Sequence, residues 1–198
     1  MNARCYDFVL NHLERRGMTE RRGGLLQDAT GDILEIGAGT GLNFPLYAAD
    51  CKVAAIEPDP SMIRRARERA AKANATIQVF QLDGQQLPFE DHSFDCVVGT
   101  LVMCTIPAPE KALAEIRRVL RSGGKYLFLE HVRADAPRLA RWQNRLEKPW
   151  GLVAGGCHPN RDTLKTITGS GFNVTSVEKF ELGLPWTKPH VAGVAVPP

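Results

Sequence analysis

The 198-residue chain lacks any apolar run long enough to cross a bilayer, and it lacks the basic-then-apolar start of a secretory signal. These absences lead to the expectation of a cytoplasmic protein with no transmembrane anchor. A weak peripheral membrane contact through the first helix stays open. Cysteine is scarce, with five residues at positions 5, 51, 96, 104 and 157. No two of them form a C-x-x-C pair, so the spacing predicts no metal site. An odd, scattered set suits free thiols in a reducing compartment. No sign of charge dominates either: 25 Lys and Arg against 22 Asp and Glu leave a net +3. Arginines cluster at Arg15, Arg16, Arg21 and Arg22 and again at Arg64, Arg65, Arg67 and Arg69. Glu14, Glu20 and Glu68 interrupt these clusters, which therefore read as solvated helix faces, with no nucleic-acid footprint. Internal repeats, low-complexity tracts and an interdomain linker are also missing, and this length suits one domain with a sizeable core.

Present instead is a regular alternation of apolar strands and amphipathic helices. Residues 3–28 read as helical with a break near Gly17 and a further interruption at Gly23-Gly24; Phe8, Val9 and Leu13 share an apolar face. Strands are predicted at 32–36, 52–57, 77–82, 94–100, 125–130, 172–182 and 191–196. Helices are predicted at 61–73, 109–120, 137–150 and 161–169, and Pro45 restricts 42–48 to a short turn. Asp59 or Ser61 caps the first of these helices, and Ser122-Gly123-Gly124 stops the second. The pattern predicts a single α/β domain: a Rossmann-like, seven-stranded, mostly parallel sheet with helices on both faces. The last two strands have no helix between them, so the final strand must run antiparallel. Residues 1–30 form an N-terminal helical cap and 31–198 the domain proper.

The centre of the chain is Asp32-Ile33-Leu34-Glu35-Ile36-Gly37-Ala38-Gly39-Thr40-Gly41. A buried strand ending in alternate glycines lets the backbone approach a polar ligand at a helix start. A dinucleotide fingerprint needs glycine at its first, third and sixth positions. Here these are Gly37, Gly39 and Leu42, so the sixth fails. Ligands of doubly wound sheets lie across the carboxyl ends of the strands. Those ends carry Glu57, Asp83, Thr100, Leu101, Glu130 and His131. Glu57 suits the vicinal hydroxyls of a ribose; the other reading is a capping or solvated acid. Asp83 suits an adenine amino group, and its alternative is a plain Asp-Gly turn. His131 is the candidate catalytic base, because histidine titrates in the right range; the alternative is a structural histidine.

Several segments together resemble the class I S-adenosylmethionine (SAM) methyltransferases. They are Glu35 to Gly41, Glu57-Pro58-Asp59-Pro60, Asp83 to Phe89 with its Leu-Pro-Phe tail, Ser93-Phe94-Asp95 and Arg118 to Gly124. Four more segments are similar to the methyltransferase-like 7 family of alkyl thiol S-methyltransferases: Thr100 to Cys104, Leu129 to Val132, Gly156 to Thr163 and Pro189 to Gly193. The resemblance implies SAM as cofactor and S-adenosylhomocysteine as product. It implies cofactor contacts from Tyr6, Glu35, Gly37, Ala38, Gly39, Gly41, Asn43, Glu57, Pro58, Met62, Asp83, Gly84, Gln85, Thr100 and Leu101. A small-molecule acceptor would meet Cys104, His131, Trp142, His158 and His190, with Trp150 and Phe44 as further candidate walls; ordinary packing is the other reading for Cys104 and the aromatics. A thiol is the favoured acceptor. Carbon or oxygen methylation of a quinone-like or phenolic molecule is the nearest alternative, and a nucleotide-dependent oxidoreductase or a non-catalytic SAM-binding module are others. Two features depart from the family. Residues 1–30 are short and charged where animal members carry an apolar anchor, and His158-Pro159 stand where other polar residues are expected.

Overall fold

The computed structural model describes residue 7 and residues 11–198. Seven strands form one sheet in the order β3-β2-β1-β4-β5-β7-β6. They are β1 (Asp32–Ile36), β2 (Lys52–Ile56), β3 (Thr76–Phe80), β4 (Phe94–Thr100), β5 (Leu120–His131), β6 (Asn173–Glu181) and β7 (Pro189–Val196). β7 pairs antiparallel with both β5 and β6, while β1 to β5 pair parallel. The expected sheet, with its antiparallel last strand, is therefore the one observed. The chain leaves β1 outward through β2 and β3, then returns to β4 on the other side. That reversal opens a crevice at the carboxyl ends of β1 and β4, where such sheets bind ligands.

Period-two alternation along the buried strands feeds two cores, one on each face. Leu34, Ile36, Val97 and Phe128 pack with Leu113 and Ile116 of α3 (Pro109–Val119) and Ile167 of α5 (Thr163–Gly169). Ile33, Val53, Ala55, Val98 and Leu127 pack with Leu25 and Leu26 of α1 (Thr19–Leu26) and Ala66 of α2 (Pro60–Ala70). Each fully buried aliphatic side chain here contributes about 2 kcal/mol. Asp59 caps α2 by accepting from the Ser61 amide at 2.7 Å. A further helix, α4 (Pro137–Val153), precedes α5.

Three local expectations change. First, Gly23-Gly24 does not interrupt the helix, because α1 runs through both glycines to Leu26, whose burial anchors the last turn. Second, the chain becomes extended at Leu120, so β5 starts there, five residues before the predicted start. Leu120 pairs with Phe94, and an irregularity between Phe94 and Cys96 absorbs the Ser122-Gly123-Gly124 excursion. Third, Arg22 is not on a solvated face: it is 3% exposed. The break expected near Gly17 is present, as a short π-helical stretch at Glu14–Met18 in which Gly17 has φ +117°. Phe8 and Val9 lie outside the described residues. No helix among the described residues is long and apolar enough to cross a membrane.

Candidate active site

The glycine loop follows from backbone geometry. Gly37, Gly39 and Gly41 take φ of +64°, +57° and +81°, the left-handed region that glycine enters without penalty. A Cβ on Gly37 would sit 2.1 Å from Val102 Cγ2, and one on Gly41 would sit 2.6 Å from the Phe44 ring. The loop is thus packed closely from behind. The Ala38 amide donates to Ile56 O at 3.0 Å, which ties the loop to the end of β2.

Glu57, immediately after β2, turns its carboxylate to this loop. One oxygen accepts from the Gly39 amide and the other from the Asp59 amide, both at 2.9 Å. Burial raises its pKa against those two bonds. A carboxylate has about four acceptor positions, so capacity for two hydroxyl donors remains. Pro58 beside it is exposed, and Met62 is buried in the first turn of α2. Asp83 is exposed at the end of the segment after β3 and accepts from the Gln85 amide at 2.9 Å. The Gln85 side chain donates to Asp83 and accepts from the Ala108 amide at 3.1 Å, bridging to the segment before α3. A Cβ on Gly84 would meet Ile36 Cγ2 at 2.8 Å, so this turn lies directly over β1. Arg118 fixes the Leu-Pro-Phe stretch by donating to Leu87 O at 2.9 Å and Phe89 O at 2.8 Å.

Behind the loop lies a polar network that composition does not reveal. Alternation places Glu35 on the same sheet face as Ile33, and it is 2% exposed. It accepts from Asn43 Nδ2 at 3.0 Å and from the Tyr47 hydroxyl at 2.7 Å. Arg22 donates to Asn43 Oδ1 at 3.0 Å, to Thr100 Oγ1 at 2.6 Å and, through Nε, to Glu14 at 3.0 Å. Asn43 also donates to Thr100 at 3.0 Å. Desolvation pushes the Glu35 carboxyl up to about 7, with Tyr47, Arg22 and Asn43 pulling the other way. Asn43 thus joins Glu35 to Thr100 and Arg22 in one network behind the loop. The missed signal for Arg22 is Glu35 itself, since a carboxylate inside an apolar strand calls for a positive charge nearby, and Arg22 acts on it through space.

Asp7 is tied to the same loop. Thr40 Oγ1 donates to Asp7 at 2.6 Å, and Arg69 of α2 donates to Thr40 O at 2.6 Å and to Asp7 at 3.0 Å. Arg65 pairs with Asp7 at 3.2 Å. Tyr6, one of the cofactor contacts that the resemblance implies, lies outside the described residues.

On the opposite side of the crevice, Glu130 is fully buried and accepts from the Val102 and Met103 amides, both at 2.9 Å. Burial raises its carboxyl to about 7. Arg161 donates to Met103 O and Ile106 O, each at 2.6 Å. Together they fix the segment after β4, where Leu101 is a non-glycine residue at φ +57°. This segment presents Cys104, which is buried and donates to Leu101 O at 3.6 Å. Cys157 arrives from the turn after α4, its Sγ 3.1 Å from His131 Nε2, and it accepts from Trp150 Nε1 at 3.1 Å. The neighbouring Cys104 and then the His131 ring hold the Cys157 thiol below its ordinary range despite burial. The ring nitrogen of the expected base, His131, therefore already has a thiol partner.

The other expected acceptor contacts separate. Trp142 is 54% exposed on α4, beneath the Arg145 guanidinium at 5.8 Å, where its helical register turns it to solvent. Phe44 is fully buried under Gly41 and belongs to the core. His158 pairs with Glu147 at 2.8 Å, while its amide donates to Cys104 O at 2.9 Å. His190 stacks on Phe180 at 5.2 Å, and burial lowers its pKa to about 4, so the ring is neutral near pH 7. It lines a cavity of about 410 Å³ at the same sheet edge, with Val132, Leu139, Phe180 and Lys188 among its neighbours.

A family model described as a methyltransferase domain matches residues 34–128. Thiol S-methyltransferase TMT1B of Rattus norvegicus is 36% identical over 172 residues, spanning 83% of this chain and 70% of that protein. Ubiquinone/menaquinone biosynthesis C-methyltransferase UbiE of Marinomonas sp. (strain MWYL1) is 27% identical over 176 residues, covering 77% of this chain and 70% of its own. Among solved structures, a putative methyltransferase from Bacillus halodurans shares the fold at a TM-score of 0.71 and 21% identity, covering 81% of this chain and 72% of that one.

Proposed function

We propose that this chain, which belongs to the class I SAM-dependent methyltransferases, methylates a small-molecule thiol. Its cofactor is SAM, and the residues present fit that group. The observation that carries this reading is the juxtaposition of Glu57 with the Gly37–Gly41 loop: a buried carboxylate 2.9 Å from the Gly39 amide, with acceptor capacity left over. On this reading Glu57 receives the ribose hydroxyls, the loop amides meet the amino-acid end, and Asp83 with the Gly84-Gln85 turn receives the adenine edge. Residues 1–30 act as the cap, which the Asp7 bonds to Thr40, Arg65 and Arg69 support. When bound, SAM supplies an activated sulfonium methyl. The chain's own part is then to bind, orient and exclude water.

A thiol acceptor is supported by the similarity to the Rattus norvegicus thiol S-methyltransferase over most of the chain. It is also supported by chemistry. A thiol with an ordinary pKa of about 8.5 needs only a modest push to thiolate, whereas a hydroxyl needs a strong base. The expected base has its Nε2 against Cys157, and His190 is neutral, so the residues around the acceptor side suit the less demanding nucleophile.

The test is calorimetric titration with SAM, S-adenosylhomocysteine and, as control, NADH, followed by transfer of a labelled methyl to alkyl thiols, phenols and quinols. Binding of the first two alone, with label on thiols, is the expected result. Label on a quinol carbon would move the chain toward the chemistry named for the Marinomonas relative. Cofactor binding without transfer to any acceptor would leave a regulatory module, and the thiol reading would fall.

A further inference from the structure

We propose that Cys104, His131 and Cys157 form a binding site for one thiophilic divalent cation of the zinc class. The three residues are 53 positions apart at their extremes, and no pair has metal-ligand spacing in the chain. The fold nevertheless brings their two Sγ atoms and one imidazole nitrogen within 4.8 Å of one another, all buried. Zinc bonds of about 2.3 Å to sulfur and 2.0–2.1 Å to nitrogen imply tetrahedral edges of roughly 3.5–3.8 Å. The Cys157–His131 edge is 3.1 Å, so seating an ion requires side-chain shifts of a few tenths of an ångström along that edge.

The ligands are held from outside the cluster, as a metal site requires. Glu130 and Arg161 pin the backbone on either side of Cys104. The His158 amide bonds Cys104 O at 2.9 Å, joining the two cysteine-bearing segments. Gly155 and Gly156, at φ +63° and +86°, make the turn that returns Cys157 to the sheet. Trp150 Nε1–H, at 3.1 Å, is an outer-shell donor to the Cys157 sulfur. Charge also favours a divalent ion: two thiolates and a neutral imidazole carry −2, which one such cation cancels in a buried place. Soft thiolates with one imidazole select zinc-class ions over magnesium or calcium. Three protein ligands leave a fourth coordination position open, in a cluster that lies by the carboxyl ends of β4 and β5.

The proposal is tested on the reduced, metal-free wild-type chain by anaerobic titration with cobalt(II) alone, without cofactor or acceptor. The expected result is one cobalt per chain, with the visible bands of a tetrahedral ion, thiolate-to-cobalt charge transfer in the near ultraviolet, and displacement by zinc at a Kd below about 1 µM. Cys104→Ser combined with Cys157→Ser should abolish the charge transfer, and Cys51→Ser should leave it intact. If the double variant does not fold by circular dichroism, His131→Gln serves in its place and should change the visible bands. Failure of the wild-type chain to bind either ion, binding without thiolate charge transfer, or an unchanged spectrum in the folded double variant would each overturn the proposal. None of these readouts depends on methyl transfer, so the site can stand or fall separately from the proposed activity.

Discussion

Replacing Glu35 by Gln removes a titration that the fold makes costly. Glu35 is buried on β1, and desolvation pushes its carboxyl from 4.5 to about 7. Its folded pKa lies above its unfolded one, so the folded state binds the proton more tightly. The resulting stability is fully present below about pH 4.5 and is lost as pH rises through about 7. A shift of about 2.5 units corresponds to about 3 kcal/mol over the whole window, of which about 2 kcal/mol falls between pH ~5 and ~7.5. Glutamine can still accept from Asn43 or from Tyr47, yet it does not ionise. The expected outcome is that the stability difference between Glu35→Gln and wild type changes by about 2 kcal/mol across that interval, in favour of the variant at the higher pH. Urea unfolding read by tryptophan fluorescence measures it, as a relative midpoint change of about 1 M for a slope near 2 kcal/mol/M. Glu130 titrates in the same range, but it is present in both proteins and cancels in the difference. A pH-independent difference between the two would refute the account of Glu35 as an ionisable group held in an unfavourable charged state near neutrality.

Three further outcomes follow from the same geometry. Glu57→Ala and Asp83→Ala should each weaken SAM binding about 10- to 100-fold by calorimetry, the loss of hydrogen bonds to a charged acceptor; wild-type affinity in both would remove the cofactor from this end of the sheet. Gly37→Ala should destabilise by about 2–5 kcal/mol through left-handed backbone strain plus the Val102 clash, and should cost at least ~1 kcal/mol less in a Val102→Ala background. Equal costs in both backgrounds would mean that the clash is not what makes glycine necessary. Arg22→Met removes the donor shared by Glu14, Asn43 and Thr100; a loss of about 3 kcal/mol should lower Tm by roughly 6–12 °C, and a Tm unchanged within ~2 °C would place Arg22 back among the surface arginines.

The sequence by itself determined the layered architecture, because period-two and period-3.6 patterns record which faces are buried over short stretches of chain. It located the glycine loop, Glu57 and Asp83, since each marks the end of a strand and needs only local geometry to be placed. It also determined the antiparallel last strand, from the shortness of one connection. Residues whose meaning comes from distant partners were not legible in the same way. Arg22 looks like its neighbours in a basic run, yet β1 and β4 supply Glu35 and Thr100 to enclose it. Trp142 and Trp150 share one amphipathic helix, and only its packing sends the first to solvent and the second to Cys157. Cys104, His131 and Cys157 carry no common spacing, because strand order sets the first two side by side and the turn after α4 folds the third back onto them. Hydrophobic periodicity is local information, whereas the pairing of buried polar groups depends on contacts across the sheet, and that is what the tertiary structure decided.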